Sequence, residues 1–179
     1  KDGAIKVWDF DAASNGFKLT QTFTGHARDI TGLAVADTVL WSSSTDGSIR
    51  IWDITKGECQ YLITMAHAGA TPPPPGSVPP QSPGHTNAVT SLVSFKSPNG
   101  TFILSSSLDG DVKAWNGTTG QCVASESNGE GVVTMTMAED SSGKQLLLLG
   151  LESGNIMARN LEPTPKIQQA FAPILSLSS

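Results

Sequence analysis

Clustered positive charge is the first thing this 179-residue chain lacks. Its 11 Lys and Arg are scattered among 16 Asp and Glu, giving a formal net charge of −5. Phosphate backbones are held by clustered cations, so direct nucleic-acid binding by this segment is not expected. Long hydrophobic runs are also missing. No stretch of about 18 apolar residues occurs, so no membrane-spanning helix is expected. Cysteine is scarce: Cys59 lies seven residues after Trp52, and Cys122 seven after Trp115. Neither a CxxC nor a paired His-Cys spacing exists, so the expectation is no metal and no cofactor. Without a visible signal sequence, two reduced thiols fit a cytoplasmic or nuclear home. The 38% hydrophobic content suits a folded domain rather than a disordered one.

What is present is repetition. Residues 41–53 read WSSSTDGSIRIWD. The run Ser48-Ile49-Arg50-Ile51 alternates polar and apolar, the mark of a half-buried strand. Asp46-Gly47 between two such runs signals a hairpin, because glycine tolerates the positive φ of a tight turn. The pattern returns as FILSSSLDGDVKAWN over 102–116, and its second half opens the chain as DGAIKVWD over 2–9. In each copy the Trp follows the turn Asp by six residues.

Trp8 and Trp52 are 44 residues apart, Trp52 and Trp115 63 apart. A further step of 44 reaches Arg159 in ESGNIMARNL, a unit of the same shape without the Trp. The period is therefore 44, with an insertion of 19 residues in the middle. It is placed at 67–84, which holds seven of the eleven prolines. Proline has no amide to give to a ladder, so this stretch is expected as an extended loop. A tolerated surface insertion is the plain reading, and a docking peptide at 72–83 for a reader of Pro-rich motifs is the functional one.

Gly25-His26 precedes Trp52-Asp53, and Gly84-His85 precedes Trp115-Asn116. With these pairs the units resemble WD-repeats. The fold this implies is all-β: an incomplete β-propeller ring of four-stranded antiparallel blades. Boundaries follow as a half blade at 1–24, blades at 25–66 and 84–127, a degenerate blade at 128–172, and the first strand of the next blade at 173–179. A ring needs about 4–8 blades, so a fragment of a longer protein is expected. Asn116 departs from the closing Asp. The last unit lacks the Trp, Asp and His altogether, and aligning Val133-Thr134 with Ile30-Thr31 and Val89-Thr90 puts Gly129 at its His position. Its run Leu146–Leu149 reads as a strand buried on both faces.

The resemblance implies a hydrogen-bonded tetrad in each blade. Carried over, it comprises His26, Ser42 or Ser44, Asp46 and Trp52, then His85, Ser105 or Ser107, Asp109 and Trp115. A Ser-His-Asp set invites a hydrolase reading, but this set occurs twice, and a Trp N–H only donates and activates no nucleophile. No catalytic residue is expected. WD-repeat propellers serve mostly as non-catalytic scaffolds that bind other proteins or peptides at the narrow face. On that face the candidates are Arg28 and Asn87, each two after the His, and Thr45 and Leu108, each just before the turn Asp. Two other readings stay open. One is an RNA-associated regulator, since blades three and four look more loosely like those of plant CCCH zinc-finger WD-repeat proteins, with the finger outside this chain. The other is a substrate receptor of a ubiquitin ligase.

Overall fold

Alternating strands joined by short glycine-bearing turns pair most readily with their neighbours in sequence, and the computed structural model shows that meander repeated. It describes residues 3–64, 84–161 and 173–174, and among these it contains strands and no helix. Strands β1 (Ile5–Asp11) and β2 (Gly16–Phe23) form a two-stranded sheet, the partial blade one. Blade two runs β3 (Ile30–Ala36), β4 (Val39–Ser44), β5 (Ile49–Asp53), β6 (Glu58–Ile63). Blade three runs β7 (Val89–Ser97), β8 (Gly100–Ser107), β9 (Asp111–Asn116), β10 (Cys122–Ser127). Blade four runs β11 (Val132–Glu139), β12 (Gln145–Leu151), β13 (Ile156–Asn160), β14 (Pro173–Ile174). Every pairing is antiparallel, and the architecture is an incomplete β-propeller.

The core lies between blades rather than within them. Trp41, Ile49 and Ile51 of blade two pack on Leu92, Ile103 and Trp115 of blade three. Leu104 and Val112 of blade three meet Met135, Leu147 and Leu149 of blade four. Ile5 and Phe23 of blade one meet Leu40 and Trp52, with Phe23 stacked on Trp52 at 5.6 Å. Each fully buried large apolar side chain is worth about 1.5–3 kcal/mol, so these interfaces, not the single sheets, carry the fold. The first strands β3, β7 and β11 run side by side. Thr31 Oγ1 donates to the Val89 carbonyl, and Thr90 Oγ1 to the Val132 carbonyl, each at 2.7 Å.

Three sequence expectations change. The 19 extra residues are not one insertion. His26 follows Trp8 by 18 and His85 follows Trp52 by 33, so only 15 precede blade three. The other four lengthen its first hairpin, where Val89 pairs with Ser107 while Ile30 pairs with Ser44. Pro173–Ile174 does not open a new blade. It pairs antiparallel with β13 through Arg159↔Pro173 and Ala158↔Ile174, supplying partners to that strand's open edge. The Pro-rich stretch up to residue 83, and residues 162–172 of the expected degenerate blade, lie outside the described residues. Finally, β12 is buried on one face only. Leu147 and Leu149 are buried against blade three while Leu146 and Leu148 are half-buried, because no described blade covers the other side.

Candidate functional site

A strand bearing three serines between a Gly-His loop and an Asp-Gly turn places three hydroxyls in three environments. In blade three, the Trp115 indole N–H donates to Ser105 Oγ at 2.8 Å. Ser105 Oγ lies 2.7 Å from His85 Nε2, and His85 Nδ1 lies 3.1 Å from Asp109 Oδ2. An indole N–H can only donate, which leaves the serine hydrogen for His85 Nε2 and puts the imidazole proton on Nδ1, facing the carboxylate. The chain Trp–Ser–His–Asp is thus satisfied link by link, as buried polar groups require.

Blade two repeats it with one extra member. Trp52 donates to Ser42 Oγ at 2.8 Å, and Ser42 Oγ lies 2.7 Å from His26 Nε2. His26 Nδ1 then meets Ser48 Oγ at 2.9 Å, and Ser48 donates to Asp46 Oδ1 at 2.5 Å. Asp46 Oδ2 itself stands 3.6 Å from the ring. Ser48 is therefore a bridging fifth member that the spacing did not reveal. Its counterpart in blade three is Asp111, which leaves His85 in direct contact with Asp109.

The structure separates the serine alternatives. Ser42 and Ser105 hold the Trp and His. Ser44 and Ser107 accept from the turn amides of Asp46 and Asp109, each at 3.1 Å. The middle pair, Ser43 and Ser106, bonds Thr31 and Thr90 at 2.9 and 3.0 Å, the same threonines that reach the next blade. Ser42 and Ser105 have no exposed surface, so neither hydroxyl is open to a substrate carbonyl.

Each turn carboxylate also ties down the Gly-His loop. Asp46 accepts from the backbone amides of Ala27 and Ser48, both at 2.8 Å; Asp109 accepts from Thr86 at 2.7 Å and Asp111 at 2.9 Å. Burial pushes the Asp46 carboxyl up. The bonds from His26, the Ser48 hydroxyl and the two amides outweigh it and hold the group well below the usual carboxylate range. Asp109 is likewise raised by burial but lowered further by His85 and the amides of Asp111 and Thr86.

Blade four solves the same problem with other residues, and its register corrects the expected one. The pairing Val132↔Leu151 matches Val89↔Ser107 and Ile30↔Ser44, each just before a bulge. Val132, not Val133, is thus the counterpart of Ile30, and Asn128 rather than Gly129 stands at the His position. Arg159 takes the Trp position. It donates from Nη2 to Asn128 Oδ1 at 2.6 Å and pairs through Nη1 with Glu126 of blade three at 2.6 Å. The loop tether is inverted: Glu130, upstream, accepts from the Ser153 amide and hydroxyl at 3.0 Å.

Successive units meet at one rim. The turn glycines Gly47 and Gly110 adopt φ of 84° and 87°. A Cβ on Gly47 would lie 3.3 Å from the Asn87 carbonyl oxygen, and one on Gly110 3.0 Å from that of Glu130. Each turn therefore seats directly on the next unit's loop. Of the expected contact residues on this rim, Arg28 and Asn87 are exposed, whereas Thr45 and Leu108 are half-buried.

The model of the family described as WD domain, G-beta repeat matches residues 17–53 and 78–116, each match closing on a Trp-Asp or Trp-Asn pair. Zinc finger CCCH domain-containing protein 17 of Oryza sativa subsp. japonica is 36% identical over 64 residues, 36% of this chain and 15% of that protein. F-box/WD repeat-containing protein sel-10 of Caenorhabditis elegans is 29% identical over 115 residues, 64% of this chain and 16% of that protein. The chain thus spans less than a fifth of either relative. The crystal structure of the computationally designed Ika8 protein matches with a TM-score of 0.63 at 25% identity, over 89% of this chain and 41% of that one. Repeat period, four-stranded blades and these matches agree: residues 17–53 and 78–116 are WD repeats, and the chain has the fold of WD-repeat proteins.

Proposed function

We propose that this chain is a non-catalytic scaffold that binds other proteins or peptides at the rim where Gly-His loops and Asp-Gly turns meet. The observation that carries the reading is the seating of Gly47 on Asn87 and Gly110 on Glu130, which makes separate loops one rigid surface. Rigidly held loops with varied side chains make binding sites. Exposed Arg28 and Asn87 are its contact residues, and the guanidinium of Arg28 suits an acidic peptide. Enclosure of both tetrad serines argues against catalysis there. The two free thiols, Cys59 and Cys122, suit the cytoplasm or nucleus.

The test is partner recovery by the wild-type chain, by Arg28→Glu, and by Lys56→Glu away from the rim. Loss with Arg28→Glu alone supports the reading; equal recovery by all three contradicts it. The likeness to a CCCH zinc-finger protein favours a second reading, an RNA-associated regulator. Two cysteines cannot build such a finger, so RNA contact would come from outside residues 1–179.

A further inference from the structure

Four asparagines of this chain precede a glycine: Asn15, Asn99, Asn116 and Asn128. A glycine nitrogen has no side chain beside it to hinder attack on the neighbouring carboxamide carbon. The fold treats the four copies differently. Asn116 Oδ1 accepts from the amides of Thr118 and Thr119 at 3.0 and 2.9 Å, and the Gly117 amide donates to the Thr101 carbonyl at 2.9 Å. Asn128 is held at both ends of its carboxamide. Its Nδ2 donates to the Gly110 carbonyl at 2.9 Å, and its Oδ1 accepts from Arg159 at 2.6 Å. Asn15 and Asn99 instead lie exposed at the tips of the β1–β2 and β7–β8 hairpins. Among the described residues neither carboxamide has a hydrogen-bond partner. Their glycines belong to the terminal pairs of those hairpins, Asp11↔Gly16 and Ser97↔Gly100, where local opening costs least. A Cβ on Gly100 would meet nothing within 4 Å, so a ring closing there has room.

We infer that Asn15 and Asn99 are sites of spontaneous deamidation, and that folding closes Asn116 and Asn128 to the same reaction. At Asn99 the Gly100 nitrogen attacks Cγ. The new C–N bond closes a cyclic imide, the Cγ–Nδ2 bond breaks, and the side-chain nitrogen leaves as ammonia with the proton given up by the glycine amide. Water then opens the ring. Cleavage between nitrogen and Cγ leaves aspartate; cleavage of the main-chain bond leaves isoaspartate, with an extra methylene in the backbone. Each conversion adds a negative charge to a chain already at −5. Asn99 precedes β8, whose other end leads into the Asp109-Gly110 turn, and Asn15 follows the far end of β1 from Gly3. Both tips therefore lie away from the rim at Arg28, and the scaffold reading stands or falls separately.

The experiment incubates the 179-residue chain in mildly alkaline buffer, folded and in guanidinium chloride. Peptide mass spectrometry follows the exchange of amide for carboxyl at each asparagine. An isoaspartyl carboxyl methyltransferase with labelled S-adenosylmethionine reports the isoaspartate. In the folded chain Asn15 and Asn99 convert about tenfold or more faster than Asn116 and Asn128, whose paired hydrogen bonds must break first. In denaturant the four rates converge. Equal rates at all four sites in the folded chain, or conversion at Asn116 or Asn128 ahead of the hairpin tips, overturns the inference. So does the same ranking in denaturant, which would place the selectivity in the local sequence rather than the fold.

Discussion

Trp41 of blade two donates its indole N–H to the carbonyl of Gly117 in blade three at 3.0 Å. It pins the two blades together beside Trp115, whose ring centre is 6.5 Å away. Gly117 permits the approach: a Cβ there would lie 2.7 Å from both the Ala36 Cβ and the Thr101 carbonyl oxygen. Gly117→Ala is therefore expected to destabilise by about 1–3 kcal/mol through overpacking. Trp41→Phe keeps a ring but loses the donor and leaves a void, at a cost of about 1–3 kcal/mol. Urea unfolding measures both; a cost within error of zero would separate this contact from stability.

Ser105 and Ser107 of β8 make different predictions despite identical chemistry. Ser105→Ala strands the Trp115 donor and His85 Nε2 in the interior, and each orphaned buried group costs about 1–3 kcal/mol. Ser107→Ala loses a turn contact and should cost about 1 kcal/mol. The same ranking holds for Ser42 over Ser44 in blade two. Equal costs from denaturant titration would mean that register, not the network, decides these positions.

Acid should unfold the chain through its turn carboxylates. Asp46 and Asp109 have folded pKa values held below their unfolded ones, near 3.9. The unfolded chain then binds protons first as pH falls, so the stabilisation is complete above about pH 5 and is lost progressively below pH 4. Asp109→Asn lowers stability at neutral pH and flattens this acid limb. Thermal unfolding from pH 7 to pH 3 reads both; an unchanged acid slope in the variant would contradict the linkage.

Blade four depends on charge where blades two and three depend on an indole. Arg159 is buried, with Asn128 and Glu126 as its partners. Arg159→Leu removes both bonds and strands the Asn128 oxygen, so a loss of about 1–3 kcal/mol is expected. Raising salt should narrow the gap between variant and wild type, since Glu126 is about a third exposed. No such narrowing in unfolding at low and high salt would show that Arg159 acts through packing alone.

Much of this was legible in residues. The six-residue step from Asp to Trp and the 44-residue period located the blades. The tetrad members were legible apart from the choice of serine, because alternation puts Ser42 and Ser44, like Ser105 and Ser107, on one face and does not choose between them. Ser48 was hidden because a residue two after the turn Asp reads as ordinary strand. Trp41 was hidden because its partner lies 76 residues away, in the next blade. In blade four the Val133-Thr134 pair is displaced by one residue from its likeness to Ile30-Thr31: the bulge after Val132 sets the register, and nothing in the letters marks a bulge.

Blades two and three enclose their indoles, and the partial blade one does not. Hydrogen exchange of the four indole N–H groups, followed by NMR on the 179-residue chain, addresses this directly. Trp41, Trp52 and Trp115 should exchange slowly and together, at the rate of global unfolding, and Trp8 at the rate of an open side chain. Fast exchange at Trp52 or Trp115, or protection at Trp8 equal to theirs, would contradict it.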